Sequence, residues 1–323
     1  MRVGQNPVKS IEEIAPPAPV TVVVIAYIPF LSGYYAESLD VLKLCLGSLR
    51  ANTPQGEYDL LVFDNGSCAE VREYLLAEQA AQRIQHLWLS ERNLGKPAAW
   101  NAALAAAPGE IVAYADSDVY FYPGWLQASV ETLRAFPKLG MVTAMPMLIP
   151  EKYSTTTLAW AKQQSGVKLE RGELLPWEDF WRHARSLGDS EAQAGEFYAQ
   201  NKAVRLSAKG RSYYLGAAHF QFTAPKAALQ AVLPIPAQRP MGRVRFLDEA
   251  MNQAGYLRLC TVGWHVQHMG NTLPRPQDLL EAPAGLADRA EKPATLSSFW
   301  RSGLVRRLLQ RIHGWSFDKL HRS

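Results

Sequence analysis

Cysteine is scarce. Cys45, Cys68 and Cys260 are the only three, far apart, with no Cys-x-x-Cys spacing and no histidine paired with them. That spacing indicates neither a zinc site nor a disulfide framework, and it fits a reducing, cytoplasmic compartment. Long apolar runs are missing as well. The longest, Val20 to Phe30, is too short to span a bilayer and contains Pro29, so it reads as a buried strand. The N-terminus shows no charged-then-apolar signal segment, and no internal repeat is visible. A general excess of charge is also lacking. The net charge is +4, but residues 299–323 hold six Lys/Arg (Arg301, Arg306, Arg307, Arg311, Lys319, Arg322) against Asp318. That tail carries +5 and leaves the remaining chain at −1. The body lacks the spread basic face of a nucleic-acid binder.

What is present is ordinary globular material: 323 residues, 48% apolar and 20% charged, ample for a sizeable core. Residues 1–19 are polar and then proline-rich, and read as a flexible leader. Strand and helix patterns then alternate. Val20–Tyr27 is a β-branched run buried on both faces. Ser38–Ala51 repeats Leu39, Leu42, Cys45, Leu46 and Leu49 at helical spacing. Strands are expected at 59–63, 85–89, 110–115 and 140–145. Helices are expected at 69–81, 97–107 and 124–136, with Pro97 suited to a first helical position. Such alternation implies an α/β fold with a mostly parallel central sheet flanked by helices. From 151 to 212 the rhythm breaks into a polar, partly helical segment (177–186 and 191–202), read as an acceptor-side insertion or lid rather than part of the sheet. Strand, helix and strand return at 216–223, 248–254 and 257–266. The expected organisation is one domain over 20–271, then a linker and basic tail over 272–323.

Ligands of open parallel sheets bind at the carboxyl ends of the strands, and here those ends are polar. The second strand ends Phe63-Asp64-Asn65-Gly66-Ser67, which by itself is a turn signal. The fourth ends Ala115-Asp116-Ser117-Asp118. Between them Asn93-Leu94-Gly95-Lys96 opens the helix that carries Trp100 and Asn101. Two carboxylates one residue apart on an extended turn can both face a hard divalent cation that bridges diphosphate oxygens. The same pair also suits an Asp-rich turn or helix cap. Its place after a buried strand and before Tyr120, Phe121 and Tyr122 favours the metal.

Taken in order, these motifs resemble the family 2 glycosyltransferases of the GT-A fold. The resemblance covers roughly 20–145: an apolar first strand ending Ala26-Tyr27, Asp-Asn-Gly-Ser at 64–67, Asn93-Leu94-Gly95 with Asn101 along the helix, then Asp116-Ser117-Asp118. It implies a single GT-A (Rossmann-like) domain. Ala26, Tyr27, Asp64, Asn65, Ser67, Asn93, Gly95, Lys96, Asn101, Asp116 and Ser117 would surround a nucleotide-sugar. Asp64 would contact the base, and Asp116 the ribose or the metal. Asp118 would ligate a divalent cation, Mn2+ or Mg2+, and Lys96 would lie near the phosphates. The looser second half contributes Phe246-Leu247-Asp248-Glu249-Ala250 and then Gly255-Tyr256. One of these acids would be the general base of an inverting transfer. The family order is Glu-Asp and here it is Asp248-Glu249, which leaves the choice between them open, with Asp248 favoured. In Val266-Gln267-His268-Met269-Gly270-Asn271, His268 is a candidate third metal ligand or a structural histidine. His219 faces either the acceptor or the core.

The partners so implied are a nucleotide diphosphate sugar and a glycan or lipid-linked acceptor, with no nucleic acid. The setting would be cell-surface polysaccharide or glycolipid synthesis. In the tail, Leu304, Val305, Leu308, Leu309, Ile312 and Trp315 fall on one helical arc opposite Arg306, Arg307 and Arg311. This C-terminal amphipathic helix suits the body's own surface, or, through 301–317, the inner face of a membrane. Two other readings stand beside the transferase. A nucleotidyltransferase acting on sugar phosphates would show a Gly-rich basic loop after the first strand, where this chain has Tyr27-Ile28-Pro29-Phe30. A non-catalytic nucleotide-sugar-binding subunit would have less need of Asp64, Asp116, Asp118 and Asp248 together.

Overall fold

The computed structural model describes residues 6–10, 14–239, 241 and 244–280. The first half alternates as the sequence pattern requires: β1 (Val20–Ala26), α1 (Ser38–Ala51), β2 (Tyr58–Asp64), α2 (Ala69–Ala80), β3 (His86–Leu89), α3 (Lys96–Ala106) and β4 (Ile111–Asp116). Then come β5 (Val119–Phe121), α4 (Trp125–Ala135), β6 (Leu139–Thr143), α5 (Thr155–Lys162), β7 (Val167–Gly172), α6 (Trp177–Ser186) and α7 (Glu191–Gln200). The last described part holds β8 (Ala203–Ala208), β9 (Arg211–Leu215), β10 (Gln221–Pro225), α8 (Lys226–Val232), α9 (Arg245–Gln253), β11 (Leu257–Thr261) and β12 (Val266–His268).

Ten strands form one sheet in the order β3-β2-β1-β4-β10-β6-β11-β9-β8-β7. The block β3-β2-β1-β4 is parallel throughout, and β6 pairs with β11 in parallel. β10 runs antiparallel between β4 and β6, and β9, β8 and β7 continue antiparallel to the edge. β1 explains its own unbroken apolar run. Val22, Val24 and Ala26 pack on one face with Leu42, Leu46 and Trp125. Val23 and Ile25 pack on the other face with Trp100 and Leu104. A strand covered on both faces has no polar positions to alternate, and each buried Val or Leu stabilises the fold by about 1.5–3 kcal/mol.

Three expectations change. The segment 151–212 is not outside the sheet: β7 and β8 come from it and extend the edge through β9. Its strands were hidden because they carry Lys168, Glu170 and Arg205, with Glu170 paired to Lys168 along β7 and to Arg205 across to β8. The short β5 takes in Tyr120 and Phe121 of the aromatic stretch, where no strand was expected, and it pairs antiparallel with β12 in a separate two-stranded sheet. The linker expected from 272 begins as a strap docked on the body. Leu273 N donates to Glu37 Oε2 at 2.8 Å, and Leu280 N to Tyr122 Oη at 2.8 Å. Gln267 Nε2 donates to the Asp278 carbonyl at 2.8 Å. The amphipathic helix expected at 301–317 lies outside the described residues. Among the described residues no helix is long and apolar enough to cross a membrane.

Candidate active site

Two cavities open at the carboxyl ends of the parallel strands and share Lys96 and Asp116 in their walls. The smaller, about 390 Å³, is lined by Tyr27, Tyr34, Tyr35, Asn65, Asn93, Ser117 and Asp118 among others. The larger, about 860 Å³, carries His183, His219, Asp248 and His268, with an apolar flank that includes Leu175, Phe180 and Phe197.

The turn after β2 and the loop before α3 are knitted together by their asparagines. Asn65 Nδ2 donates to Asn93 Oδ1 at 3.0 Å, Leu94 N donates to Asn65 Oδ1 at 2.9 Å, and Gly95 N donates to Asn93 Oδ1 at 2.7 Å. Gly66 has φ +87°, and a Cβ there would lie 2.7 Å from the Arg92 carbonyl carbon, so the turn fits against its neighbour only as glycine.

Asp64 is wholly buried and does not reach the cavity wall. Its Oδ1 accepts from Ser67 N at 3.0 Å and its Oδ2 from Arg72 Nε at 3.2 Å, so its carboxylate holds the turn. Ser67 Oγ accepts from Ile28 N at 3.0 Å, and Ala26 accepts through its carbonyl from Asn65 N at 2.8 Å. Asn101 exchanges hydrogen bonds with the Ile235 backbone, at 2.8 and 2.9 Å, and lines neither cavity. Ala26, Asp64, Ser67, Gly95 and Asn101 therefore stand behind the cavity walls. Tyr27, Asn65, Asn93, Lys96, Asp116 and Ser117 stand in them.

At the junction, Lys96 Nζ donates to Asp116 Oδ2 at 2.7 Å and sits 5.3 Å from the Trp100 ring centroid. The Tyr114 hydroxyl donates to Asp116 Oδ1. Burial, reinforced by Asp116, pushes the Tyr114 hydroxyl far above its ordinary range, so it stays a donor.

Pairing of β12 with β5 sets His268 opposite Val119, and Met269 N donates to the Asp118 carbonyl at 2.8 Å. His268 Nε2 thereby comes within 3.3 Å of Asp118 Oδ2. Burial alone would raise the Asp118 carboxyl, but His268 and then Lys96 hold it below the usual carboxylate range. Burial would lower the His268 imidazole, and Asp118 outweighs it and raises it.

His268 Nδ1 lies 2.9 Å from Ser186 Oγ, whose own hydroxyl donates to the His183 carbonyl at 2.6 Å. Ser186 Oγ is thus left as an acceptor for Nδ1–H, which turns Nε2 toward Asp118. Such an outer partner is what a metal-binding histidine has. Among the described residues, Asp118 Oδ1 is buried without a hydrogen-bond partner. An oxygen of this kind and a fixed imidazole nitrogen suit a divalent cation. Asp116, expected as a further ligand, is turned instead to Lys96 and Tyr114. Among the described residues no three His, Cys, Asp or Glu side chains stand grouped to hold an ion.

In the wall of the larger cavity, Asp248 is 5% exposed on α9. Its Oδ1 meets Arg258, a wholly buried side chain, and its Oδ2 lies 2.7 Å from His219 Nε2. Glu249 lines neither cavity. His183 is also in this wall, its ring centroid 5.1 Å from Phe220 and 5.8 Å from His268. Burial, with His268 adding, drives its pKa down to about 3.

Sequence reading missed Tyr34, Tyr35, Arg72, His183, Ser186 and Arg258. The cluster Gly33-Tyr34-Tyr35 after β1 was a usable signal. Tyr35 packs edge-on against Tyr27 and Tyr34 at 6.4 and 5.1 Å between centroids. Arg258 inside an apolar strand was another.

Comparison with known proteins adds the following. Residues 33–173 match the model of glycosyl transferase family 2. The match spans the three polar strand ends and stops before Asp248 and His268. The chain is 32% identical over 103 residues to an uncharacterized glycosyltransferase of Nostoc sp., covering 31% of each chain. It is 29% identical over 110 residues to the glycosyltransferase AglE of Haloferax volcanii, covering 33% of this chain and 36% of that one. The matched part is thus about a third of the length of these relatives. Among solved structures, S. aureus TarS 1-349 is 14% identical with a TM-score of 0.46, covering 76% of this chain and 59% of that one. The mannosyltransferase PcManGT of Pyrobaculum calidifontis, in complex with GDP-Man and Mn2+, is 17% identical with a TM-score of 0.45, covering 80% and 59%.

Proposed function

We propose that this chain, whose residues 33–173 match the model of glycosyl transferase family 2, moves a sugar from a nucleotide diphosphate sugar to an acceptor hydroxyl with inversion. The observation that carries this reading is the pair of cavities that meet at Lys96 and Asp116. Transfer needs two ligands whose reacting atoms meet at one point, with positive charge on the leaving-group side and a proton acceptor on the other. The smaller cavity, with its tyrosine cluster at Tyr27, Tyr34 and Tyr35, offers aromatic faces to a nucleobase. The larger, about 860 Å³ and bounded by Asp248, has room for a glycan acceptor, and its flank of Leu175, Phe180 and Phe197 suits a lipid-linked one.

Lys96 stands where the diphosphate would depart and supplies a fixed positive charge. Asp118 Oδ1 and His268 Nε2 are the atoms that would hold Mn2+ or Mg2+, which when bound neutralises the diphosphate. Of the acids at 248 and 249, Asp248 is the one in the cavity wall and is the acid of the proton-accepting side. The product would serve cell-surface polysaccharide or glycolipid synthesis on the cytoplasmic side, with the basic tail resting on the membrane.

A thermal-shift panel of nucleoside diphosphates, with and without manganese, tests the donor side. One nucleotide should raise the melting temperature, and more so with metal. No shift with any nucleotide would remove the donor assignment.

A further inference from the structure

A lone carboxylate is not the group best placed to take the acceptor proton. Both Asp248 oxygens face a nitrogen at ion-pair distance, although Oδ1, Arg258 Nη1 and His219 Nε2 complete no hydrogen bond among the described residues. Arg258, wholly buried, meets Oδ1, and His219 Nε2 lies 2.7 Å from Oδ2. A proton taken directly on Asp248 would displace one of these partners and leave the buried Arg258 charge without its counter-charge, an arrangement that is strongly unfavourable.

His219 is differently placed. Its side chain is 23% exposed against 7% for the side chain of Asp248, and it stands in the cavity wall with Lys96, Asp116 and His268. Its loop is stitched to the end of β4, because Asp116 N donates to the Phe220 carbonyl at 2.7 Å. The loop is further held by Ala218 N donating to Thr143 Oγ1 at 2.7 Å. Gly216 at its start has φ +96° and leaves no room for a Cβ against Ile149. The ring is therefore carried on a fixed loop one residue from the junction of the two cavities.

We propose that His219 is the group that accepts the acceptor proton, and that Asp248 is its positioning residue, itself locked by Arg258. His219 Nε2 lies 2.7 Å from the Asp248 carboxylate, whose charge favours the proton on Nε2, and that tautomer leaves the Nδ1 lone pair free. This is the logic of a base oriented by a third group. The step balances. The acceptor O–H proton passes to His219 Nδ1 as the acceptor oxygen bonds to the anomeric carbon. The bond from that carbon to the diphosphate oxygen breaks, and its electron pair leaves with the nucleotide. The imidazolium, paired with Asp248, then returns its proton to water. This rests on the transferase reading above and replaces a single-acid base with a dyad.

The test uses the full chain, a panel of UDP-, GDP- and dTDP-hexoses with manganese, and release of nucleoside diphosphate as the readout, water standing in for the acceptor. His219→Ala should keep its melting temperature and its calorimetric affinity for the nucleotide diphosphate, leave KM for the donor unchanged, and lose kcat by roughly a hundred- to ten-thousandfold. Added imidazole should restore part of that kcat. His219→Gln, which keeps an amide donor toward Asp248, guards against a folding defect and should show the same kcat loss. Wild-type kcat in either variant overturns the proposal, as does a His219→Ala loss that imidazole does not relieve. If the wild-type chain itself neither binds a nucleoside diphosphate nor cleaves any donor, the transferase reading falls, and this inference with it.

Discussion

At the scale of single residues, Asp118 decides whether this site uses a metal. Its Oδ1 is buried without a partner among the described residues, and its Oδ2 faces His268. Asp118→Ala should fold normally and lose metal-dependent nucleotide diphosphate binding. Full binding in calorimetry would exclude the metal role. His183 makes a separate prediction about acid stability. Burial first, and then the neighbouring His268, drive its pKa from 6.5 down to about 3. The unfolded chain binds a proton below about pH 6.5 that the folded chain refuses until about pH 3. Stability from this group is therefore complete above the unfolded value and is lost as pH falls below it, by at most about 1.4 kcal/mol per pH unit. The His183 ring packs on Phe220, and among the described residues its buried Nδ1 has no hydrogen-bond partner. His183→Phe should thus be tolerated at pH 7 and should flatten the fall in melting temperature between about pH 6 and pH 4. An unchanged acid limb would place that sensitivity elsewhere.

At the scale of elements, the site depends on turns that bring strand ends together, and Gly66, like Gly216, has no room for a side chain. With φ at +87° and a new Cβ 2.7 Å from the Arg92 backbone, Gly66→Ala must push the 90–95 loop away from β2. The left-handed backbone alone costs about 1–2 kcal/mol, or roughly 2–8 °C in a body of this size. Nucleotide diphosphate affinity should fall with it, because Asn65 and Asn93 are displaced together. A variant that melts early but binds normally would show that the asparagine bridge is not part of the donor site. What was legible in the sequence follows the same division. β1, β2 and β4 were readable because strands buried on both faces are continuously apolar, and their polar ends followed from that. β7 and β8 were not, because strands near the sheet edge that carry Lys168, Glu170, Arg171 and Arg205 look like a polar segment. The Asp118–His268 meeting lay behind β5, three residues long, whose partner β12 is about 147 residues away in the chain. His219 and Asp248 were both singled out, but their direct contact was not, since it joins the loop before β10 to α9; nor was the Arg258 beside it, a charge that no pattern of period two marks as buried.

At the scale of the whole molecule, the open question is what the basic tail does. The body ends in the strap through Leu280, which is fastened by Leu273 to Glu37, by Asp278 to Gln267 and by Leu280 to Tyr122. A chain cut after Pro293 keeps all three fastenings, so it should stay folded and keep its affinity for nucleotide diphosphates. It would lose Leu304, Leu308, Ile312 and Trp315, which the sequence pattern expects on one apolar arc, and the charges of Arg306, Arg307 and Arg311. Each basic side chain near an anionic surface contributes about 1 kcal/mol, and added salt screens that contribution. Three or four such contacts, with apolar burial, suffice for reversible attachment that needs no spanning helix. Full-length protein should therefore float with anionic vesicles at low salt and largely leave them at high salt, while the cut chain stays at the bottom of the gradient under both conditions. Binding of the cut chain would move the membrane contact onto the body. If the full-length protein ignores anionic vesicles, or if the cut unfolds the domain, the tail belongs to the fold and the lipid-side reading of the acceptor loses its support.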